Sequence, residues 1–217
     1  MIRRELSKLS DEELICLVVK NHPQATTYLV DRYKGMVFTL SYRILKNQLD
    51  AEEGAQDTFV KAFNALNSFR FDCKFSTWLY RICYNHAISK SRVYKPIQVD
   101  VETRFDIPSE TTSAIDSLST KDRNKYLGKA MEALEPEDSA ILTLYYVDGN
   151  SVNEISTITG LTDTNIKVKL HRGRKKLYTQ LDILLKEEVT MLLNTTSYES
   201  KRQQFQQVRR RASGRLA

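Results

Sequence analysis

Helical periodicity runs along nearly all of the 217-residue chain, and only seven glycines and four prolines interrupt it. Apolar residues return every three or four positions, the period that lines one face of an α-helix. Leu29, Tyr33, Val37, Leu40 and Ile44 form one such stripe; Ala55, Phe59, Ala62, Phe63 and Leu66 form another. No segment alternates with period two between turn residues, so a sheet is not expected. The chain reads as all-α, with two small helical domains joined by a flexible linker, the C-terminal one a helix-turn-helix.

The first domain covers residues 1–95. Ser10 followed by Asp11, Glu12 and Glu13 is an N-cap with acids that complement the helix dipole. Further helices are expected over about Ala25–Ile44, Ala51–Leu66 and Ser76–Arg92. Residues 96–120 break the pattern: two prolines, many Ser and Thr, and one Arg against five acids describe a flexible acidic linker. Periodicity resumes over 121–187, where Pro136 sits well at a first helical position and Asp148-Gly149 ends the helix it opens. The tail, 188–217, is polar and basic and has no evident role.

A hydrophobic fraction of 41% with 28% charged residues suits a chain that builds cores rather than a disordered one. The longest apolar run, Ala140–Val147, is far shorter than the ~20 residues a bilayer requires. The N-terminus lacks the apolar core of a secretory signal. A cytoplasmic protein with no direct membrane insertion is therefore expected. Cys16, Cys73 and Cys83 form no C-x-x-C, and His22, His86 and His171 have no zinc-ligand spacing. They read as buried thiols and isolated histidines, with no metal and no cofactor implied. On the fourth helix Leu79, Ile82, Cys83 and His86 make the expected core side, with His86 as a hydrogen-bonded core histidine.

The most specific local pattern lies at 151–177. Ser151 and Glu154 make an S-x-x-E capping box, Gly160 supplies a left-handed stop, Leu161 closes the turn and Thr162 caps a second helix. On that second helix Ile166, Leu170, Gly173 and Leu177 face the core, with Gly173 marking the close approach of a neighbouring helix. Residues 164–177 hold six Lys or Arg and no acid. A capped helix, a glycine turn and a second, basic capped helix together point to DNA binding. Thr164, Asn165, Lys167, Val168 and His171 occupy the turns that reach base edges, with Val168 opposite the core stripe and able to meet a thymine methyl. Lys169, Arg172, Arg174, Lys175 and Lys176 belong to the same basic surface, the last four placed to grip phosphates.

A second pattern lies at 67–92, where Phe69, Phe71, Phe75, Trp78, Tyr80 and Tyr84 accompany a run of bases. Single-stranded DNA binding needs this pairing of cations for phosphates with ring faces for bases. Asn67, Phe69, Arg70, Phe71 and Lys74 stand in the loop. Thr77, Trp78, Arg81, Tyr84, Asn85 and Arg92 follow on the helix, where Thr77, Arg81, Tyr84, Asn85, Ile88 and Arg92 form the side opposite the core.

These blocks, in this order, resemble bacterial RNA polymerase sigma factors of the extracytoplasmic-function (ECF) type. DAEEGAQDTFVKAF (50–63), FSTWLYRICYNHAISKSR (75–92) and ALEPEDSAILTLYYVDGNSVNEISTITGLTDTNIKVKLHRGRKKL (133–177) carry the resemblance. It implies that the helix bearing Asp50, Glu53, Gln56, Asp57 and Phe59 docks on core RNA polymerase. The 67–92 residues would open and hold a −10-type element, and the second helix of the helix-turn-helix would read a −35-type element. The resemblance also implies an anti-sigma partner, no enzymatic activity of the chain's own, and passage of the acidic linker through the polymerase's RNA-exit path. Ser156, Val168 and Gly173 depart from the family's usual residues, which bears on promoter preference.

An autonomous helix-turn-helix regulator would leave the acidic helix and the aromatic loop without a task. A nucleic-acid-processing enzyme would need a nucleophile with its base, or clustered carboxylates, and no convincing pair is present. The net charge of +6 rests on the tail: residues 201–217 contain six bases and no acid, so residues 1–200 balance. The informative feature is the alternation of acidic 50–57, basic 70–95, acidic 96–120 and basic 164–177.

Overall fold

A computed structural model describes residues 6, 8–94 and 120–186. The expected acidic linker, apart from its last residue, and the expected basic tail lie outside them. Every regular element among the described residues is helical: α1 (Asp11–Val19), α2 (Pro23–Leu45), α3 (Gln48–Ala65), α4 (Phe75–Tyr94), α5 (Thr120–Glu132), α6 (Pro136–Leu142), α7 (Val152–Thr159) and α8 (163–186).

Local chemistry sets the helix ends. The Ser10 hydroxyl accepts from the Glu13 amide at 3.2 Å while Glu13 accepts from the Ser10 amide at 2.8 Å, which opens α1. Asn47 Oδ1 accepts from the Asp50 amide at 3.1 Å and opens α3. Asp11 ties α1 to α2 by accepting from Arg32 Nη1 at 2.6 Å and from the Tyr33 hydroxyl. A short 3₁₀ turn, Leu66–Ser68, leads from α3 into the aromatic loop.

Helix α4 is buried on two sides. Leu79, Cys83 and Ala87 lie in the core, and the Cys83 thiol meets Ser41 Oγ at 3.3 Å on α2. Thr77, Tyr80, Tyr84 and Ile88, spaced three, four and four, are buried as well. This second stripe includes residues expected to be open, and α6 and α7 pack against α4.

The helix-turn-helix forms as its punctuation dictates. Ser151 and Glu154 make the capping box, Gly160 closes α7 at φ 75°, and Thr162 Oγ1 accepts from the Asn165 amide at 3.3 Å. Ile155, Ile158, Ile166 and Leu170 are buried. A Cβ on Gly173 would lie 3.2 Å from Leu142 Cδ1, so the expected close approach occurs there. The helix opened by Pro136 does not stay regular to Val147. It widens into a π turn over Thr143–Val147, closed by the Asp148 amide on the Thr143 carbonyl at 3.1 Å. Asn150 secures that turn by donating both its backbone amide and Nδ2 to the Leu144 carbonyl.

By backbone proximity the described residues form two compact units: residues up to 94 with 131–176, and 120–130 with 177–186. The helix-turn-helix thus belongs to the unit that holds the first bundle, a grouping that sequence periodicity does not convey. The second unit has its own small core of Tyr126, Ala130 and Leu181, flanked by Leu177, Leu184 and Leu185. Of the three cysteines expected to be buried, Cys83 is buried, Cys73 is half-buried and Cys16 is exposed.

Phe75 joins loop to core: it is 3% exposed, with ring centroids 5.3 Å from Tyr33, 5.8 Å from Phe69 and 5.7 Å from Trp78. Phe75→Ala should cost about 3–5 kcal/mol, read as a lowered urea midpoint with an unchanged slope. An unshifted midpoint would contradict this packing.

Candidate nucleic-acid and polymerase interface

The loop between α3 and α4 builds an aromatic ladder from core to solvent. Tyr33 and Phe75 are buried at its base, and Phe69 is buried above them. Phe69 packs on Trp78 at 5.1 Å and on Phe71 at 4.7 Å between centroids. Phe71 ends the ladder 47% exposed, with φ at 62°. A non-glycine residue in that region costs on the order of 1–3 kcal/mol and persists only where its surroundings hold it. Arg70 and Lys74, on either side of Phe71, are exposed, as is Asn67.

On α4, Arg81, Asn85 and Arg92 are exposed and Trp78 is half-buried. Thr77 and Tyr84, expected beside them on the open side, are buried at 1% and 4% exposure, and Thr77 Oγ1 has no hydrogen-bond partner. The helix-turn-helix segment supplies carboxylates to this region. Tyr84 donates to Glu137 Oε1 at 3.2 Å, Lys74 Nζ meets Glu154 Oε1 at 2.8 Å, and Asp148 lies against the Tyr80 hydroxyl. Burial, then Glu137, raises the Tyr84 pKa; burial, then Asp148, raises that of Tyr80. Burial raises the Asp148 carboxyl too, and its Oδ2 has no hydrogen-bond partner.

The acidic helix α3 is tied from beneath by α4. Lys90 Nζ lies 2.6 Å from Glu53 Oε2 and 3.3 Å from Asp50 Oδ1, and His86 Nε2 lies 3.2 Å from Asp57 Oδ2. The bases are the less exposed partners, so the carboxylates stay on the outer face. Gln56 is exposed, and Phe59 is half-buried against Phe63. His86 is accordingly a partner of Asp57 and Lys61 rather than a core histidine. Burial and Lys61 lower its pKa against the opposing pull of Asp57.

On α8, Thr164, Asn165, Lys167, Val168, His171, Arg172 and Arg174 are exposed, and Lys175 is half-buried. Val168 is 43% exposed, opposite the buried Ile166 and Leu170. Lys169 is different: its Nζ lies 2.5 Å from Glu137 Oε2 and 3.5 Å from Asp138 Oδ1. Burial works against its charged form, but Glu137 and Asp138 outweigh that and raise its pKa. Lys176 also meets Asp138, at 3.3 Å.

Sequence reasoning missed Glu137, Asp148 and the outward role of Glu154. Glu154 read as a cap residue, which it is; nothing in the capping box reveals that its second oxygen faces Lys74.

Sigma-70 region 2 matches residues 29–95, and Sigma-70, region 4 matches residues 124–177. The ECF RNA polymerase sigma factor SigW of Bacillus subtilis is 31% identical over 173 residues, covering 76% of this chain and 92% of SigW. The fold is shared with CnrH, solved in complex with the cytosolic domain of CnrY, at TM-score 0.55 and 24% identity over 80% of this chain and 97% of that one. It is shared too with the sigma factor RpoE of Bartonella quintana, solved with the anti-sigma factor NepR, at TM-score 0.55 and 19% identity over 72% and 96%. The all-α chain, with its region 2 and region 4 segments in order, is a bacterial transcription initiation factor. It belongs to the ECF sigma factors, alternative sigma factors that direct RNA polymerase to promoters. No helix among the described residues is long and apolar enough to cross a membrane.

Glu154 uses both oxygens: Lys74 first, then the Ser151 amide and hydroxyl, hold its pKa down at about 2. A carboxyl depressed by folding stabilises fully above its ordinary value of 4.5 and loses that contribution as pH falls toward about 2. Glu154→Gln should remove this part of the acid dependence. Melting temperatures of the two proteins should converge as pH drops through that window; a constant gap would contradict the assignment.

Proposed function

We propose a division of labour along the chain. The α3 face with Asp50, Glu53, Gln56, Asp57 and Phe59 docks on core RNA polymerase. The loop and α4, through Asn67, Phe69, Arg70, Phe71, Lys74, Trp78, Arg81, Asn85 and Arg92, open and hold a −10-type element, with the buried Thr77 and Tyr84 shaping that face from within. Helix α8, through Thr164, Asn165, Lys167, Val168, Lys169, His171, Arg172, Arg174 and Lys175, reads a −35-type element in duplex DNA. The functional segments are residues 1–95 and 121–187, with 96–120 as tether.

The observation that carries this reading is the ring ladder ending in exposed Phe71 between exposed Arg70 and Lys74. Core aromatic clusters end inside a protein; this one ends at solvent, with Arg70 and Lys74 flanking it along the chain, which suits an unstacked base beside its phosphates. Phe69 and Phe75 then act as the support of the platform and Phe71 and Trp78 as its face. The chain works in the cytoplasm as a non-catalytic subunit, with bond formation left to the polymerase. By analogy with the solved sigma complexes, an anti-sigma protein is its regulatory partner.

Reconstitution with core polymerase tests the assignment. Asp57→Arg should lower polymerase affinity about tenfold or more, the scale of one reversed charged contact. Full run-off transcription and polymerase binding by that variant would contradict the α3 docking. Lys167→Ala with Arg172→Ala should weaken duplex promoter binding by the holoenzyme and leave polymerase affinity unchanged. Loss of polymerase affinity would contradict the division.

A further inference from the structure

Asp50, Glu53 and Asp57 of α3 all rest on bases of α4, but the bases differ in kind. Lys90 serves Asp50 and Glu53, and its hydrogen bond to Glu53 leads the causes that raise its pKa, so its charge is fixed near neutrality. His86 serves Asp57. An imidazole is the side chain whose charge changes near neutral pH. Asp57 is therefore the one of the three whose partner can switch its charge there.

The His86 ring meets two residues one turn apart on α3. Lys61 Nζ lies 2.5 Å from Nδ1, and Asp57 Oδ2 lies 3.2 Å from Nε2. An ammonium has donors only, so Nδ1 accepts and the ring proton sits on Nε2. Asp57 and Lys61 are spaced to pair directly along the helix surface, yet each meets the ring. Nε2 is buried and, though close to Asp57, makes no aligned hydrogen bond. The carboxylate thus keeps its bonding capacity for a partner outside. Its side chain is 47% exposed, against 15% for His86. Lys90, one turn on along α4, is a second cation that disfavours a charged ring. Toward α2, the neighbours at Gly54 beside the ring are Leu45 and Ser41, both uncharged.

We propose that His86 is a positioning residue for polymerase docking: its neutral ring presents Asp57 as a full negative charge, and its protonation withdraws that charge. The proposal rests on the reading of the α3 face as the docking surface given above. Protonation places a hydrogen on Nδ1, directly facing Lys61 Nζ. Two cations repel there, and Lys61, which is exposed, turns to water. The imidazolium lies against Asp57 and offsets its charge toward a basic surface on the polymerase. Both changes make the face less acidic, while Asp50 and Glu53 stay as they are. Burial first, then Lys61, lowers the pKa from its ordinary 6.5, so the ring is neutral at pH 7. Docking favours the neutral ring. Affinity is accordingly full above 6.5 and falls as pH drops through the lower value of the folded chain.

Binding of the full chain to core polymerase at constant ionic strength tests this. The polymerase titrates as well, so the readout is the ratio of wild-type to His86→Gln affinity; glutamine donates and accepts but takes up no proton. That ratio should fall about threefold between about pH 8 and about pH 5.5, half the logarithmic effect expected of Asp57→Arg. A ratio constant over that range overturns the proposal. If His86→Gln does not fold, ring-nitrogen NMR of the full chain serves instead. The chain has three histidines, and His22→Gln and His171→Gln assign the other two rings. His86 should carry its proton on Nε2 and titrate below 6.5, and Lys61→Gln should raise that midpoint. A neutral ring protonated on Nδ1, or a midpoint that Lys61→Gln leaves in place, overturns the proposal. Asp57→Arg separates the two levels. If it leaves polymerase affinity unchanged, the docking reading is wrong and the proposal falls with it. If it weakens binding while the wild-type to His86→Gln ratio stays constant, the role of His86 alone is refuted.

Discussion

The packing of α4 on two sides is the constraint on which the rest of the unit depends. A helix normally hides one stripe and leaves the other to solvent. Here Leu79, Cys83 and Ala87 fill one core, and Tyr80, Tyr84 and Ile88 are buried on another side. The aromatic loop before α4 is oriented through Phe75, which anchors the ring ladder, and the acids of α3 are oriented through Lys90 and His86. The acids of α3, the aromatic loop and the exposed side of α4 therefore share one support. A single helix packed on two sides holds the side chains of these three surfaces in fixed relation to one another.

Electrostatics in this chain is a matter of sharing rather than of net charge. Asp50, Glu53 and Asp57 of α3 each lean on a base from α4 and still face outward. Glu137, Asp148 and Glu154 do the reverse and turn toward Tyr84 and Lys169, Tyr80 and Lys74. Exposed pairs of this kind contribute little to stability, typically ~0–1 kcal/mol. Their weight lies in which surfaces they occupy.

The fold was largely legible because its punctuation is local. Ser10, Ser151, Gly160 and Thr162 act within one turn of themselves, and periodicity places Ile155, Ile158, Ile166 and Leu170 inside without reference to any distant residue. Val168 was recognisable as exposed, and Gly173 as a close approach, for the same reason. What the sequence did not convey depends on contacts between segments far apart in the chain. Tyr84 and Thr77 look amphipathic and available on an isolated α4, and only the approach of α6 and α7 covers them. Lys169 looks like its basic neighbours until Glu137 and Asp138 are brought beside it. The π turn depends on Asn150 folding back onto the Leu144 carbonyl, a bond that helical period cannot foretell. The candidate residues were thus identified by type, while their availability was decided by tertiary packing.

The central claim is that the exposed end of the ring ladder holds DNA open while α3 holds the polymerase. Permanganate reactivity of unpaired thymines in a promoter bound by reconstituted holoenzyme tests it most directly. Phe71→Ala should leave polymerase affinity and upstream duplex binding as in the wild type and abolish most thymine reactivity around the start site. Undiminished reactivity in that variant, with the same holoenzyme occupancy, would contradict the account.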